Sequence, residues 1–314
     1  MDHFRPISRC LMIALIAGSA AAVVGAASDL PALRGERWQA PGSRVGALTL
    51  APKECLSAPS SVANSRLIAI GRTAFADPLL LGGQAARMQI SCATCHPNGR
   101  RNTTFLLPGL SDVPGTADVT SSMMSSHRGN GVFDPKPIPD LALAAQIERN
   151  PASPALPAFV HGLITNEFDG AEPPPIAFEG LLAYIRAVRT CQPDVLEPIT
   201  VDAAITDIGA AMRAALNSLR LSDKATARLM IGAARLRLGN IYERYDMPSL
   251  KGDQAALAAT DRLLLALQQA IDRGDDIAPR LGAWQFPTAL RQQLRRDANR
   301  SLYDPAVLAA KIAA

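Results

Sequence analysis

The sequence predicts an all-α protein with two helical regions, on three observations. The chain has 314 residues, of which 48% are hydrophobic but only 4% aromatic, and alanine is abundant, a balance that favours helix over sheet. The C-terminal part shows almost unbroken helical spacing of apolar residues. The part before it alternates short helical stretches with loops rich in Pro and Gly. As a prior, this length corresponds to about two domains of ~150 residues each.

Residues 1–27 read as a cleaved signal peptide. Arg5 and Arg9 form a positive start, an apolar run extends from Cys10 to Val24, and Val24-Gly25-Ala26 and Gly25-Ala26-Ala27 offer small-residue cleavage sites. The run is short for a bilayer-spanning helix, which needs ~20 apolar residues. An exported, periplasmic protein without stable membrane insertion after cleavage is therefore expected. Residues 28–63 are rich in Pro, Gly and Ser and predict an irregular arm.

From Asn64 onward Leu67, Gly71, Ala74 and Phe75 share a helix face, which Pro78 ends. A second helical stretch is expected over 84–94, closed by Pro97. Residues 98–139 are loop-dominated, and a loop that long inside a compact domain is usually functional. Short helices are expected at 140–148 and 159–167. After Pro173-Pro174-Pro175, Phe178, Leu181, Leu182, Ile185 and Val188 mark a helix over 176–189.

Residues 192–198 form the expected boundary, and 199–314 read as an antiparallel helical bundle. Ile205, Ile208, Met212, Leu216 and Leu219 line its first helix. Ser222 is the expected cap of the next, which carries Met230, Ala234, Leu238, Ile241 and Tyr245. Leu257, Leu264, Leu267 and Ile271 mark a third, ended by Gly274, and shorter helices follow at 287–299 and 304–313.

The five cysteines sort by place. Cys10 leaves with the signal. Cys92-Ala93-Thr94-Cys95-His96 is the haem-attachment pentapeptide. Positions three apart on a helical turn share a face, so both sulfurs can meet the two vinyl edges of one porphyrin, with the next histidine beneath the iron. One covalent haem c is expected, held by Cys92 and Cys95 with His96 as proximal ligand. The haem would also give the long loop an apolar surface to wrap. A zinc site would want four Cys or His ligands, but Cys55, Cys191, His127 and His161 are scattered. A thioredoxin-like motif wants a strand–helix setting, and a Cys92–Cys95 disulfide leaves His96 unexplained.

Cys55 and Cys191 remain, just before the first and just after the last helix of the region at 64–192. An exported chain permits them to pair, and their ends can approach if those helices cross. Small c-type cytochromes cross their first and last helices closely. Gly71 offers a place without a side chain, over which Tyr184 could lie.

Gly71-Arg72-Thr73-Ala74-Phe75-Ala76-Asp77-Pro78-Leu79 followed by Ser91-Cys92-Ala93-Thr94-Cys95-His96 resembles the di-haem cytochrome c peroxidase and MauG family. The resemblance implies a cytochrome c-like haem domain at 64–192. It departs from the family in having one attachment motif, with neither Cys nor His in residues 192–314. Trp38 and Trp284 both lie outside 64–192, whereas the family places a tryptophan between its haems. Cys92, Cys95 and His96 carry over, and nothing catalytic does.

The sixth iron position decides function. Met124, Met123 and His127 cluster after the motif and are the distal candidates, a methionine ahead of His127, with loop packing against the porphyrin edge as the alternative role of the methionines. Arg100, Arg101 and Arg128 could meet propionates. Glu148 and Glu167 read as solvated helix-end charges, and His161 as a core or surface histidine. The leading expectation is single-electron transfer with a redox partner protein or a small electron donor or acceptor. The rival is a peroxidase-like haem enzyme, and a third is a haem sensor or accessory subunit. The net charge of +4 comes without a basic stripe, so nucleic acid is not an expected partner. The bundle is the expected face for any oligomer.

Overall fold

The computed structural model describes residues 31–120, 123–126 and 131–313. The expected signal peptide, His127 and Arg128 lie outside the described residues.

Helices dominate, and the strands are pieces of two or three residues. The expected irregular arm carries ordered elements instead: α1 (Arg44–Thr49), β1 (Leu50–Pro52) and β2 (Cys55–Leu56). Then come α2 (Val62–Phe75), α3 (Pro78–Leu81), α4 (Gly83–Met88) and α5 (Cys92–Cys95). Among its described residues the long loop carries β3 (Thr116–Ala117) and β4 (Lys136–Pro137). After it run α6 (Ala155–Gly162), α7 (Pro175–Ala187), β5 (Val188–Arg189) and β6 (Leu196–Pro198). The C-terminal part is α8 (Val201–Arg220), α9 (Lys224–Arg244), α10 (Lys251–Asp272), α11 (Ala278–Ala283), α12 (Thr288–Asp297) and α13 (Pro305–Ala313).

Two helices organise the first half. Ser61 caps α2, its side chain accepting from the Asn64 amide at 3.0 Å. α2 packs on α7, backbone against backbone. A Cβ on Gly71 would lie 1.8 Å from the Gly180 carbonyl oxygen, so neither glycine tolerates a side chain without parting the helices. The residue over Gly71 is therefore Gly180, and Tyr184 lies one turn on, against Phe75 at 5.0 Å between centroids.

Around this crossing the chain ends are tied. β1 pairs antiparallel with β6, and β2 with β5, so the arm closes on the segment that leaves α7. In the second half α8 packs on α9, α9 on α10, and α8 also on α2. One apolar core runs from Ile70 and Phe75 through Leu181 to Ile208, Met230 and Leu264.

Local differences from the sequence expectation have local causes. The stretch over 84–94 breaks in two because Gln89 adopts the left-handed conformation at φ 60° and ends α4. Residues 140–148 give a turn and a short 3-10 segment, with Asp140 taking the Ala142 amide at 3.0 Å. Residues 163–167 continue α6 as a π-turn. Ser222 stands at φ 60°, and Asp223 is the cap of α9, accepting from the Thr226 amide at 2.8 Å.

Candidate functional site

The attachment turn is fixed from both sides. Ser91 precedes α5, and its amide donates to Thr94 Oγ1 at 3.0 Å while the Thr94 amide donates to the Ser91 carbonyl at 3.0 Å. The His96 amide closes on Cys92 O at 2.8 Å. Asn102 then takes the next carbonyls, its amide donating to Cys95 O at 2.9 Å and its Nδ2 to Thr94 O at 2.9 Å. Pro97 stops the helix because it has no N–H to continue it. Gly99 has φ +77°, and a Cβ there would lie 2.6 Å from Val188 Cγ1, so the exit packs on the end of α7. Asn98 Nδ2 donates to Pro52 O at 2.7 Å and ties the turn to the arm.

Cys92 and Cys95 are not bonded to each other. Burial pushes both thiols up to about 12, so they stay protonated at neutral pH. Burial also lowers the His96 imidazole to about 4, against the Pro139 carbonyl and the Asp140 carboxylate, which favour the charged form. Its Nδ1 is fully enclosed and makes no hydrogen bond of standard geometry. A neutral imidazole is the form that ligates metal. Two protonated thiols on one face of a turn, with a neutral, half-buried imidazole directly after, fit a covalently attached porphyrin. Among the described residues no group of three or more His, Cys, Asp or Glu is arranged to hold a metal ion by side chains alone.

Aromatic contact leads away from His96. Its ring lies 6.5 Å from Phe75, and Phe75 lies 5.0 Å from Tyr184. The Tyr184 hydroxyl donates to Glu54 Oε1 at 2.8 Å. Arg72 Nε holds the other Glu54 oxygen at 2.6 Å, and Arg72 Nη1 holds Asp207 at 2.6 Å. Burial and then Glu54 drive the Tyr184 pKa well above the phenol range. Burial works against the charge on Arg72, but Asp207 and Glu54 together raise its pKa.

The distal candidates separate. Met124 is 1% exposed and belongs to the apolar core that Cys92 and Cys95 border. Met123 is 41% exposed, and its methyl end lies over Gly109. Ser125 Oγ donates to Asn166 O at 2.5 Å, and the Ser126 amide to Asp169 Oδ2 at 2.7 Å, which seats the Met124 segment on the π-turn. Glu167 in that turn is 7% exposed, not a solvated helix-end charge. Glu148 is exposed. His161 pairs with exposed Glu172 at 2.7 Å.

Arg100, expected at a propionate, is held by Asp140 at 3.0 Å and Asp194 at 2.7 Å. Arg101 is exposed. Cys55 and Cys191 are joined by a disulfide with Cα atoms 5.4 Å apart. Sequence reasoning missed Glu54, Pro139, Asp140 and Trp38. Trp38 O accepts the Leu106 amide at 3.1 Å, which brings the arm onto the loop after the motif. None of the four carries a local pattern, because each reaches the site through contacts distant in sequence.

Comparison with family models, curated proteins and solved structures gave no match. Among the described residues no helix is long and apolar enough to cross a membrane.

Proposed function

We propose that the chain is an exported, periplasmic c-type cytochrome that carries one covalent haem c and passes single electrons. The observation that supports it most is the turn Cys92–Cys95. Its two thiols are free, a neutral imidazole follows on His96, and Cys55 and Cys191 are bonded to each other instead. Haem bound there would supply a one-electron iron couple.

The chain's own residues set the conditions. Cys92 and Cys95 would hold the haem covalently, and His96 would ligate its iron. Of the two candidate methionines Met124 is the buried one, so on this reading it would supply the second iron ligand. Two protein ligands would leave the iron no open position, which would suit reversible electron transfer. Residues 64–192 are then the cytochrome c-like haem region. Residues 199–314 are the antiparallel bundle, which offers a face to a redox partner protein or a second copy. A small electron donor or acceptor could serve in the partner's place.

Extraction tests the attachment. Acidified organic solvent should leave the haem with the protein, and the mass of the mature chain should include it. Cys92→Ala or Cys95→Ala should lower the yield of holoprotein. Complete loss of haem from the native protein to the solvent would overturn the proposal.

One observation favours a peroxidase-like enzyme as the second reading. Glu167 is buried in the turn on which the Met124 segment is seated, where an acid–base group would be needed. Such an enzyme should consume peroxide with a dye as donor and lose that activity in Glu167→Gln. An electron carrier should exchange electrons with the dye quickly and react with peroxide slowly.

A further inference from the structure

A cavity of about 690 Å³ lies where the arm, α2, the outer side of the attachment turn, α8 and α9 meet. That is the size of a small-molecule site. Trp38, Phe75 and Tyr303 give it aromatic walls, and Thr94 brings it against the attachment turn.

Its charges do not balance. Each carboxylate in the lining already has a cation. Glu54 and Asp207 share Arg72, Glu243 takes Arg34 at 3.3 Å, and Glu197 takes Lys53 at 3.5 Å. Arg244 is held by the carbonyls of Leu302 at 2.9 Å and Leu48 at 2.6 Å, and lies 4.7 Å over the Tyr303 ring. Arg237 remains. It lines the cavity, is half-buried, and makes no hydrogen bond or ion pair with any described residue. The buried Asp77 carboxyl feels its charge but forms no ion pair with it. A guanidinium at a cavity wall without a protein acceptor is free to take a ligand, and a carboxylate matches its paired donors. Asn240, one turn further along α9, lies exposed at the same lining, and its side-chain amide makes no hydrogen bond with any described residue.

We propose that this cavity binds a small organic carboxylate with a single negative charge and a flat apolar body, with Arg237 as its counter-ion. The body lies among the aromatic walls, and the carboxylate takes Arg237 and Asn240. Every inner acid being paired, a neutral or cationic ligand of the same shape gains no partner there. The assignment uses no property of the haem reading, so the two stand or fall separately.

Titration calorimetry on the purified full-length protein tests it with benzoate, benzamide, benzylamine and inorganic phosphate as probes. Benzoate should bind one to one, and the other three at least about tenfold more weakly, in keeping with the loss of a charge-assisted hydrogen bond. Arg237→Gln should lose benzoate affinity by about tenfold or more. Arg228→Gln, on the same helix but outside the cavity and paired with Asp272, should keep it. No benzoate binding at millimolar concentration would overturn the site. So would benzamide binding as tightly as benzoate, or an unchanged affinity in folded Arg237→Gln. Phosphate binding as tightly as benzoate would overturn the ligand class. The probe series on the unmodified protein decides the matter even if Arg237→Gln does not fold.

Discussion

Met123 and Met124 are sequence neighbours with opposite surroundings, one against Gly109 near solvent and one in the core. If the chain carries haem as proposed, the buried sulfur is the better placed ligand, so Met124→Ala is expected to convert a low-spin optical spectrum to high spin and Met123→Ala to leave it unchanged. The reverse result would move the ligand to the other methionine. Asp77 is a second residue whose environment sets a measurable property. It caps α3 by accepting from the Leu79 amide at 2.9 Å, while its Oδ2 is enclosed without a partner. Burial raises its pKa from 3.8 to about 7, against the Leu79 hydrogen bond and the Arg237 charge. The folded state therefore holds this proton more tightly than the unfolded chain. The associated stability is fully present below about pH 4 and is lost as pH rises towards 7, by up to about 4 kcal/mol. Asp77→Asn keeps an acceptor for the cap and cannot ionise, so urea midpoints for the variant should vary less between pH 4 and pH 7. Equal slopes for variant and parent would remove Asp77 as the cause.

At the scale of elements, the crossing of α2 and α7 is the most constrained contact. Gly180 O would lie 1.8 Å from a Cβ on Gly71, and Leu67 O 2.8 Å from one on Gly180. Gly71→Ala should therefore destabilise by about 3 kcal/mol, the upper part of the usual range for overpacking, because backbone cannot yield as a side chain does. Chemical denaturation measures it, and a cost under about 1 kcal/mol would mean that the helices part easily. The helices themselves were legible in the sequence, since α2, α7, α8, α9 and α10 all follow apolar spacing. Their caps were less so. Ser222 and Asp223 are both good caps, and only the φ of 60° at Ser222 assigns the role to Asp223. The break at Gln89 was hidden because no Gly or Pro marks a left-handed residue there. Of the site, the attachment turn was legible because its chemistry is local. The Glu54–Tyr184 bond was not, because it joins residues 130 apart in the chain.

Across the whole molecule, the Cys55–Cys191 disulfide closes 136 residues of chain. On the loop-entropy model such a bridge stabilises by up to about 4–5 kcal/mol, less where attached haem already restrains the unfolded chain. Thiol counting on the purified protein under denaturing, non-reducing conditions should find none free at these positions. Two reactive thiols there would show that the bridge does not form in the purified protein. The bridge lies beside two strand pairs, β1 with β6 and β2 with β5, so the chain leaves the first half where it entered it. In topological terms that half is a cassette between two adjacent points of a scaffold. Exchange of the cassette, or relocation of the chain termini into it, would not stretch the remaining helices. The same geometry imposes an order of maturation. A chain that crosses a membrane N-terminus first delivers Cys92, Cys95 and His96 long before Cys191 and β6 arrive to shut the cassette. On the reading of an exported c-type cytochrome, the turn Cys92–Cys95 would thus be open to covalent modification first and closed behind its clasp afterwards.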